Sequence, residues 1–138
     1  MEKTVLTINA AINAPVKKVW EMFNDPQHVT KWNNPSPDWH TPKAENDLRE
    51  GGNFIYRMEA KDGSFGFDFG GTYDEVKPHE RIAYTMGDGR KVHATFREEG
   101  GVTHIIENFE AETQNTLEVQ QTGWQGILDN FKSYVESN

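Results

Sequence analysis

The sequence predicts an α+β domain in which a curved antiparallel sheet wraps around one long C-terminal helix, with two short helices after the first strand. Three observations lead to that class. Leu117, Trp124, Leu128, Phe131 and Val135 recur at helical spacing, with Ile127 and Tyr134 widening the stripe. Between Phe54 and Phe109 the pattern switches to alternation, broken by short turn signals, as in a meander of strands. The apolar face of that meander is also too wide for one helix about 10–12 Å across to cover if the sheet is flat. The sheet must therefore curl, and Gly66, Gly70 and Gly71 mark where it can bend.

Each element has its own signal. Leu6, Ile8, Ala10 and Ile12 alternate with polar or small residues, which reads as a half-buried first strand. Pro15 opens a helix that turns Val16, Val19, Trp20 and Phe23 to one side. Asp25-Pro26 ends it and starts a shorter one, with Asp25 as cap and Val29 and Trp32 inward. Residues 33–43 hold Pro35, Pro37 and Pro42 with Trp39 and His40 and show no periodicity, so a loop is expected. In the final helix Asn115 is the expected cap, with Glu118 three residues on, and Gln121 interrupts the apolar stripe one turn before Trp124.

The turns set the registers. Asp62-Gly63 places Met58 opposite Phe67, Tyr56 opposite Phe69, Phe54 opposite Gly71, and Arg57 opposite Asp68 on the other face. Around Pro78-His79, Val76 is expected opposite Arg81 and Tyr73 opposite Tyr84. A Gly87-Asp88-Gly89 loop brings Met86 beside Arg90 and Tyr84 beside Val92. Gly100-Gly101 is expected to set Ala94 against Ile105 and Val92 against Glu107.

Composition narrows the function classes. At 138 residues the chain fits one domain, expected to span 1–138, with a single core. Only 35% of residues are hydrophobic, but eight Phe, four Tyr and four Trp bury large areas each. A formal charge of −8 argues against nucleic acid and anionic membrane surfaces as partners, since both favour a basic patch. Without cysteine there is no disulfide, thiol nucleophile or thiolate metal site. No basic-then-apolar leader and no span-length apolar stretch is present, so a cytoplasmic protein without membrane insertion is expected.

Ala14-Pro15, Val19-Trp20, Asp25-Pro26 and Trp32 resemble the opening of the START-like (Bet v-like, SRPBCC) superfamily. Asp47-Leu48-Arg49-Glu50-Gly51-Gly52 with Phe54, then Gly71 and Tyr73, then Glu80-Arg81-Ile82, follow in that family's order. Gly123-Trp124, Gly126, Leu128 and Phe131 resemble its closing helix. Within the superfamily the branch is similar to the activator of the heat-shock chaperone ATPase, the Aha-type domain. The resemblance implies a helix-grip fold with about six or seven strands. It also brings a range of activities: lipid and hormone binding, aromatase/cyclase chemistry, and activation of a chaperone partner. The chaperone activator carries an additional N-terminal domain, for which this chain is expected to have no room. Members often carry a second aromatic after the position of Trp32, where this chain has Asn33.

Glu107 is the position most able to carry chemistry. In the expected register it lies on the inner face between Ile105 and Phe109, where desolvation raises a carboxyl pKa. A bulge near Gly100-Gly101 would instead expose Glu107 and bury Ile106, and a tyrosine or Gln121 would satisfy it if it stays inside. Tyr56, Tyr73 and Tyr84 share that face, with Gln121 expected to look at them from the helix. Phe67, Phe69 and Trp124 complete the expected ligand-binding set. Gly123 and Gly126 each cost the helix about 1 kcal/mol relative to alanine, so they either allow close approach of a strand or leave room for a ligand. His93 and His104 are expected as a diagonal pair on the outer face, solvated rather than metal-binding, and no metal or cofactor is implied. No serine has a histidine partner for a hydrolytic triad, and Trp39 reads as a packed anchor or a lid. The favoured expectation is a binder of a small apolar or aromatic molecule. The alternatives are a cyclase- or dehydratase-type enzyme using Glu107 with a tyrosine, and a protein-interaction module such as a chaperone activator.

Overall fold

Alternation over the first strand and the two short helices after it appear as expected in the computed structural model of the chain, which describes residues 4–138. The elements are β1 (Val5–Ile12), α1 (Val16–Asn24), α2 (Pro26–Trp32), β2 (Trp39–Asn46), β3 (Asn53–Ala60), β4 (Gly66–Lys77), β5 (Arg81–Met86), β6 (Lys91–Glu99), β7 (Val102–Glu110) and α3 (Leu117–Glu136). The seven strands form one antiparallel sheet in the order β1-β7-β6-β5-β4-β3-β2, curled into a half-barrel around α3. The first two strands of the chain are thus the two edges, and α1 and α2 connect them.

Local chemistry explains most boundaries. Asp25 accepts a hydrogen bond from the Gln27 amide at 2.9 Å and caps α2, which buries Val29 and Trp32. The expected loop over 33–43 needs correction, because β2 begins at Trp39 and pairs with β3. Its register shifts between His40 and Lys43, around Pro42. An edge strand has no outer partner to lose, so a proline is tolerated there. The bulge and the prolines also erase the alternation by which a strand is recognised.

The β3–β4 pairs are all four as expected. Between β4 and β5, Tyr73 does face Tyr84, but Val76 faces Ile82 rather than Arg81. A register shift between Tyr73 and Glu75 absorbs the extra residue. Tyr84 faces Val92, and the Met86 amide donates to the Arg90 carbonyl at 2.8 Å, as the three-residue loop predicts. The β6–β7 register differs from expectation by two residues: Ala94 faces Glu107 and Val92 faces Phe109. Gly100 and Gly101, at φ 60° and 83°, make a two-residue turn with Glu99 opposite Val102. An even shift leaves every side chain on its face, so the aromatic inner surface survives the error. The histidines do not keep their diagonal relation: His93 faces Asn108 and His104 faces Arg97.

At Gly70 and Gly71 the neighbouring backbone comes too close for a side chain. A Cβ on Gly70 would sit 2.5 Å from the Phe54 carbonyl oxygen, and one on Gly71 would strike the Thr85 carbonyl.

Helix α3 starts one residue later than its expected cap. Thr116, not Asn115, accepts from the Val119 amide, at 3.1 Å. Leu117, counted in the apolar stripe, is 47% exposed. The buried line instead runs through Gln120, Leu128, Phe131 and Val135. The helix packs chiefly on β1, and α2 packs on β2. At its C-terminal end Phe131 meets Phe23 and Trp32 at centroid distances of 5.3 and 4.7 Å, over Ile8, Ile12 and Ile105. That end is filled. The other end, facing β3–β5, is hollow.

Candidate functional site

The hollow is a cavity of about 370 Å³ between the concave sheet and α3. β3 supplies Phe54, Tyr56 and Met58, β4 supplies Phe67, Phe69 and Tyr73, and β5 supplies Ile82 and Tyr84. Glu107 comes from β7, and Gly123, Trp124, Ile127 and Leu128 come from α3. Its aromatic wall is continuous: Phe54 lies 5.1 Å from Tyr56, 5.2 Å from Tyr73 and 4.8 Å from Tyr84. Trp124 stacks on Phe109 at 4.1 Å with the planes 7° apart, and Phe69 meets it edge-on at 5.9 Å.

Polar groups sit at two stations. At the first, Asn24 Nδ2 donates to the Trp20 carbonyl at 2.9 Å, and Asn46 Nδ2 donates to the Asn24 carbonyl at 2.6 Å. The Asn46 side chain also faces the hydroxyls of Tyr56 and Tyr73, which face each other. Burial raises both phenols, so they stay neutral donors. This station is closed on itself.

The second station is not. Glu107 is only 8% exposed while Ile106 is 43% exposed, so the pleat is not flipped. Desolvation pushes the Glu107 carboxyl up to about 7. Burial, then the nearby Glu107, raises the Tyr84 phenol. Among the described residues nothing hydrogen-bonds the Glu107 carboxyl or the Tyr84 hydroxyl. No fully buried side-chain polar atom lacks a partner among those residues, so these oxygens border the open space.

Of the predicted site residues, Tyr56, Phe67, Phe69, Tyr73, Tyr84, Glu107 and Trp124 line the cavity. Phe67 does so at the rim, 38% exposed, with Trp39 and Phe65 at 6.1 and 6.0 Å. Gln121 does not line it, contrary to expectation. Its Nε2 donates to the Thr7 carbonyl at 3.1 Å, on the free edge of β1. One residue is a 100° step around a helix, and the inward place is taken by Gln120. The Gln120 side chain accepts from the Glu112 amide at 2.8 Å and donates to the carbonyls of Glu112 and Asn115 at 3.1 and 2.9 Å. It fastens the β7–α3 loop. The two helix glycines divide the explanations offered for them: a Cβ on Gly126 would lie 3.2 Å from the Pro35 carbonyl, whereas one on Gly123 would meet open space.

Asn24, Asn46, Gln120 and Arg90 line or brace the site without having been singled out in the sequence. Asn24 lies four residues after Trp20 on the buried face of α1, a readable signal. Asn46 became visible only with β2. Among the described residues no group of three or more histidine or carboxylate side chains is gathered as a metal centre, and no helix is long and apolar enough to cross a membrane.

This geometry, a long helix gripped by a curled sheet, can be compared with known proteins. Residues 13–136 match the family described as Activator of Hsp90 ATPase homolog 1-like protein. The chain belongs to that family. It is similar to the AHSA1-like protein of Aeromonas hydrophila, a solution structure with 48% identity and TM-score 0.91 over 97% of this chain and 93% of that one. A solution structure from Cytophaga hutchinsonii shares 52% identity with TM-score 0.83, covering 96% of this chain and 92% of that one. A crystal structure from Nitrosomonas europaea has the same fold at 20% identity, TM-score 0.83, covering 96% and 94%. No curated protein matches the chain. In this member of the Activator of Hsp90 ATPase homolog 1-like family, Asn33 is buried where the sequence resemblance implied an aromatic. Its Nδ2 donates to Thr41 Oγ1 at 3.3 Å, and that hydroxyl donates to the Asn33 carbonyl. The substitution ties the end of α2 to β2 beside the cavity.

Proposed function

We propose that the protein binds a small, largely apolar or aromatic molecule between the sheet and α3. The observation that carries this is the cavity itself. Protein interiors are close-packed with few voids larger than a water molecule, yet here about 370 Å³ stays open beside a well-filled core. Its size and its apolar lining with a few polar groups are those of a small-molecule site. Tyr56, Phe67, Phe69, Tyr73, Tyr84, Glu107 and Trp124 are the residues that ligand would touch. Chemical-shift mapping with a panel of flavonoids, fatty acids and polyketides tests it. Shifts at Phe69, Tyr84, Glu107 and Trp124 support the reading; shifts confined to outer-face residues such as Ile55 overturn it.

One observation favours a second reading, acid catalysis of a cyclase or dehydratase kind. Glu107 is held near 7 beside Tyr84 and borders the cavity, as a general acid working at neutral pH requires. A substrate turned over by the wild type, and bound but not turned over by Glu107→Gln, would support it. Equal turnover by both would remove it.

A further inference from the structure

Building on the cavity-binding reading, we propose that the ligand carries a cationic amine on its apolar body, and that Glu107 receives it among Phe69, Tyr84 and Trp124. Buried carboxylates in proteins are paired, because an isolated charge is costly away from water. Glu107 is buried, borders the cavity and has no hydrogen-bond or ion-pair partner among the described residues. Among the described residues the cavity lining has no cation free to give it. Arg90 is the one basic residue lining the cavity among the described residues, and it is held by Asp88 at 2.8 Å and by the Glu110 carbonyl at 3.5 Å. The counter-charge must therefore arrive with the ligand.

Three further observations agree. The aromatic rings that line the cavity with Glu107 offer π-faces to an ammonium group. The charged groups of the lining are Glu107, Glu112 and Arg90, acidic on balance, within a chain of net charge −8 that draws cations toward it. The other polar station is closed on itself through Asn46, Tyr56 and Tyr73, which leaves that end to the apolar body. The ligand this describes has one charged end and one aromatic or hydrocarbon end.

The competing possibility is that Glu107 stays protonated and donates to a neutral carbonyl, and the two have opposite pH dependence. An amine binds the ionised carboxyl, so its affinity rises from pH 6 to pH 8 while the amine keeps its proton. A carbonyl binds the neutral acid, so its affinity falls over the same range. The other titratable or charged groups facing the cavity are Tyr56, Tyr73, Tyr84, Arg90 and Glu112. The tyrosines are raised and Glu112 is lowered, so none of those titrates between pH 6 and 8.

Calorimetric titration with 2-naphthylmethylamine and with 2-acetonaphthone at pH 6, 7 and 8 separates them, with NMR spectra to confirm that each variant is folded. The amine is expected to bind about tenfold tighter than the ketone at pH 8, as a charge-assisted contact implies, and to tighten with pH. Glu107→Gln is expected to erase that preference. A ketone that binds as well or better and weakens above pH 7 overturns the amine proposal while leaving the cavity reading intact. An amine preference that persists in Glu107→Gln also overturns it. If neither probe shifts any cavity resonance, the amine proposal fails, and the cavity reading is then decided by the panel of flavonoids, fatty acids and polyketides.

Discussion

Glu107 makes the cost of this site measurable at the scale of one residue. Its pKa rises from the ordinary 4.5 to about 7 on folding, through desolvation alone. A raised folded pKa means that the contribution to stability is complete below the unfolded value and is lost as pH rises through the folded one. At pH 4 wild type and Glu107→Gln both carry a neutral side chain there, and their stabilities are expected to be close. At pH 8 the wild type holds a buried carboxylate, so Glu107→Gln is expected to be more stable by up to about 3 kcal/mol. Urea unfolding of both proteins at the two pH values checks this; a difference that does not change with pH would contradict it. Gly123 gives a second single-residue prediction. Gly123→Ala removes a helix penalty of about 1 kcal/mol and places its methyl in open space within the cavity lining. A higher melting temperature with weaker ligand binding is expected. Gly126→Ala is expected to gain less, because its methyl presses on the Pro35 carbonyl.

At the scale of elements, the side of α3 turned away from the cavity has a task of its own. An edge strand exposes unpaired backbone groups that invite other chains. Along β1, Gln121 donates to the Thr7 carbonyl, Gln125 Nε2 donates to the Asn9 carbonyl at 2.9 Å, and Glu136 accepts from the Asn13 amide at 2.9 Å. The helix therefore covers the free edge with side chains spaced along its length. Replacing Gln121 and Gln125 together by alanine is expected to cost about 1–2 kcal/mol and to speed amide exchange at Asn9, which hydrogen-exchange NMR reads directly. Gln120→Ala is expected to cost about 1–3 kcal/mol by itself, since it leaves buried groups of the β7–α3 loop unpaired. Element type was legible here wherever period and turn chemistry agreed. The Asp62-Gly63 hairpin came out residue for residue, while β2 was hidden by its prolines. Which of two adjacent glutamines faced inward was not legible, because Leu117 is compatible with either phase of the helix.

At the scale of the whole molecule, the domain is filled at one end and hollow at the other, which links stability to occupancy. A ligand that binds only the folded state stabilises it by about 2.7 kcal/mol at one hundred times its dissociation constant. Thermal unfolding with saturating 2-naphthylmethylamine is expected to shift upward with concentration by that mass-action law. The same probe is expected to shift Glu107→Gln less at pH 8. A concentration-independent midpoint would show that the cavity does not take the probe.

The order of the elements other than β2, the aromatic inner face and the curl of the sheet were determined by the sequence alone, while for Glu107 it offered an inward register and a bulge that would expose it. The first three depend on periods of 3.6 and 2 and on turn residues, which are local properties. The inward Glu107 even survived a register wrong by two, because strand faces repeat every second residue. Tertiary structure decided the rest. Only packing showed that Tyr56 and Tyr73 are tied to Asn46 while Tyr84 and Glu107 are left open, and that Gln120 rather than Gln121 turns inward. Those outcomes depend on what distant segments bring to the same place, and no local pattern in the chain encodes that meeting.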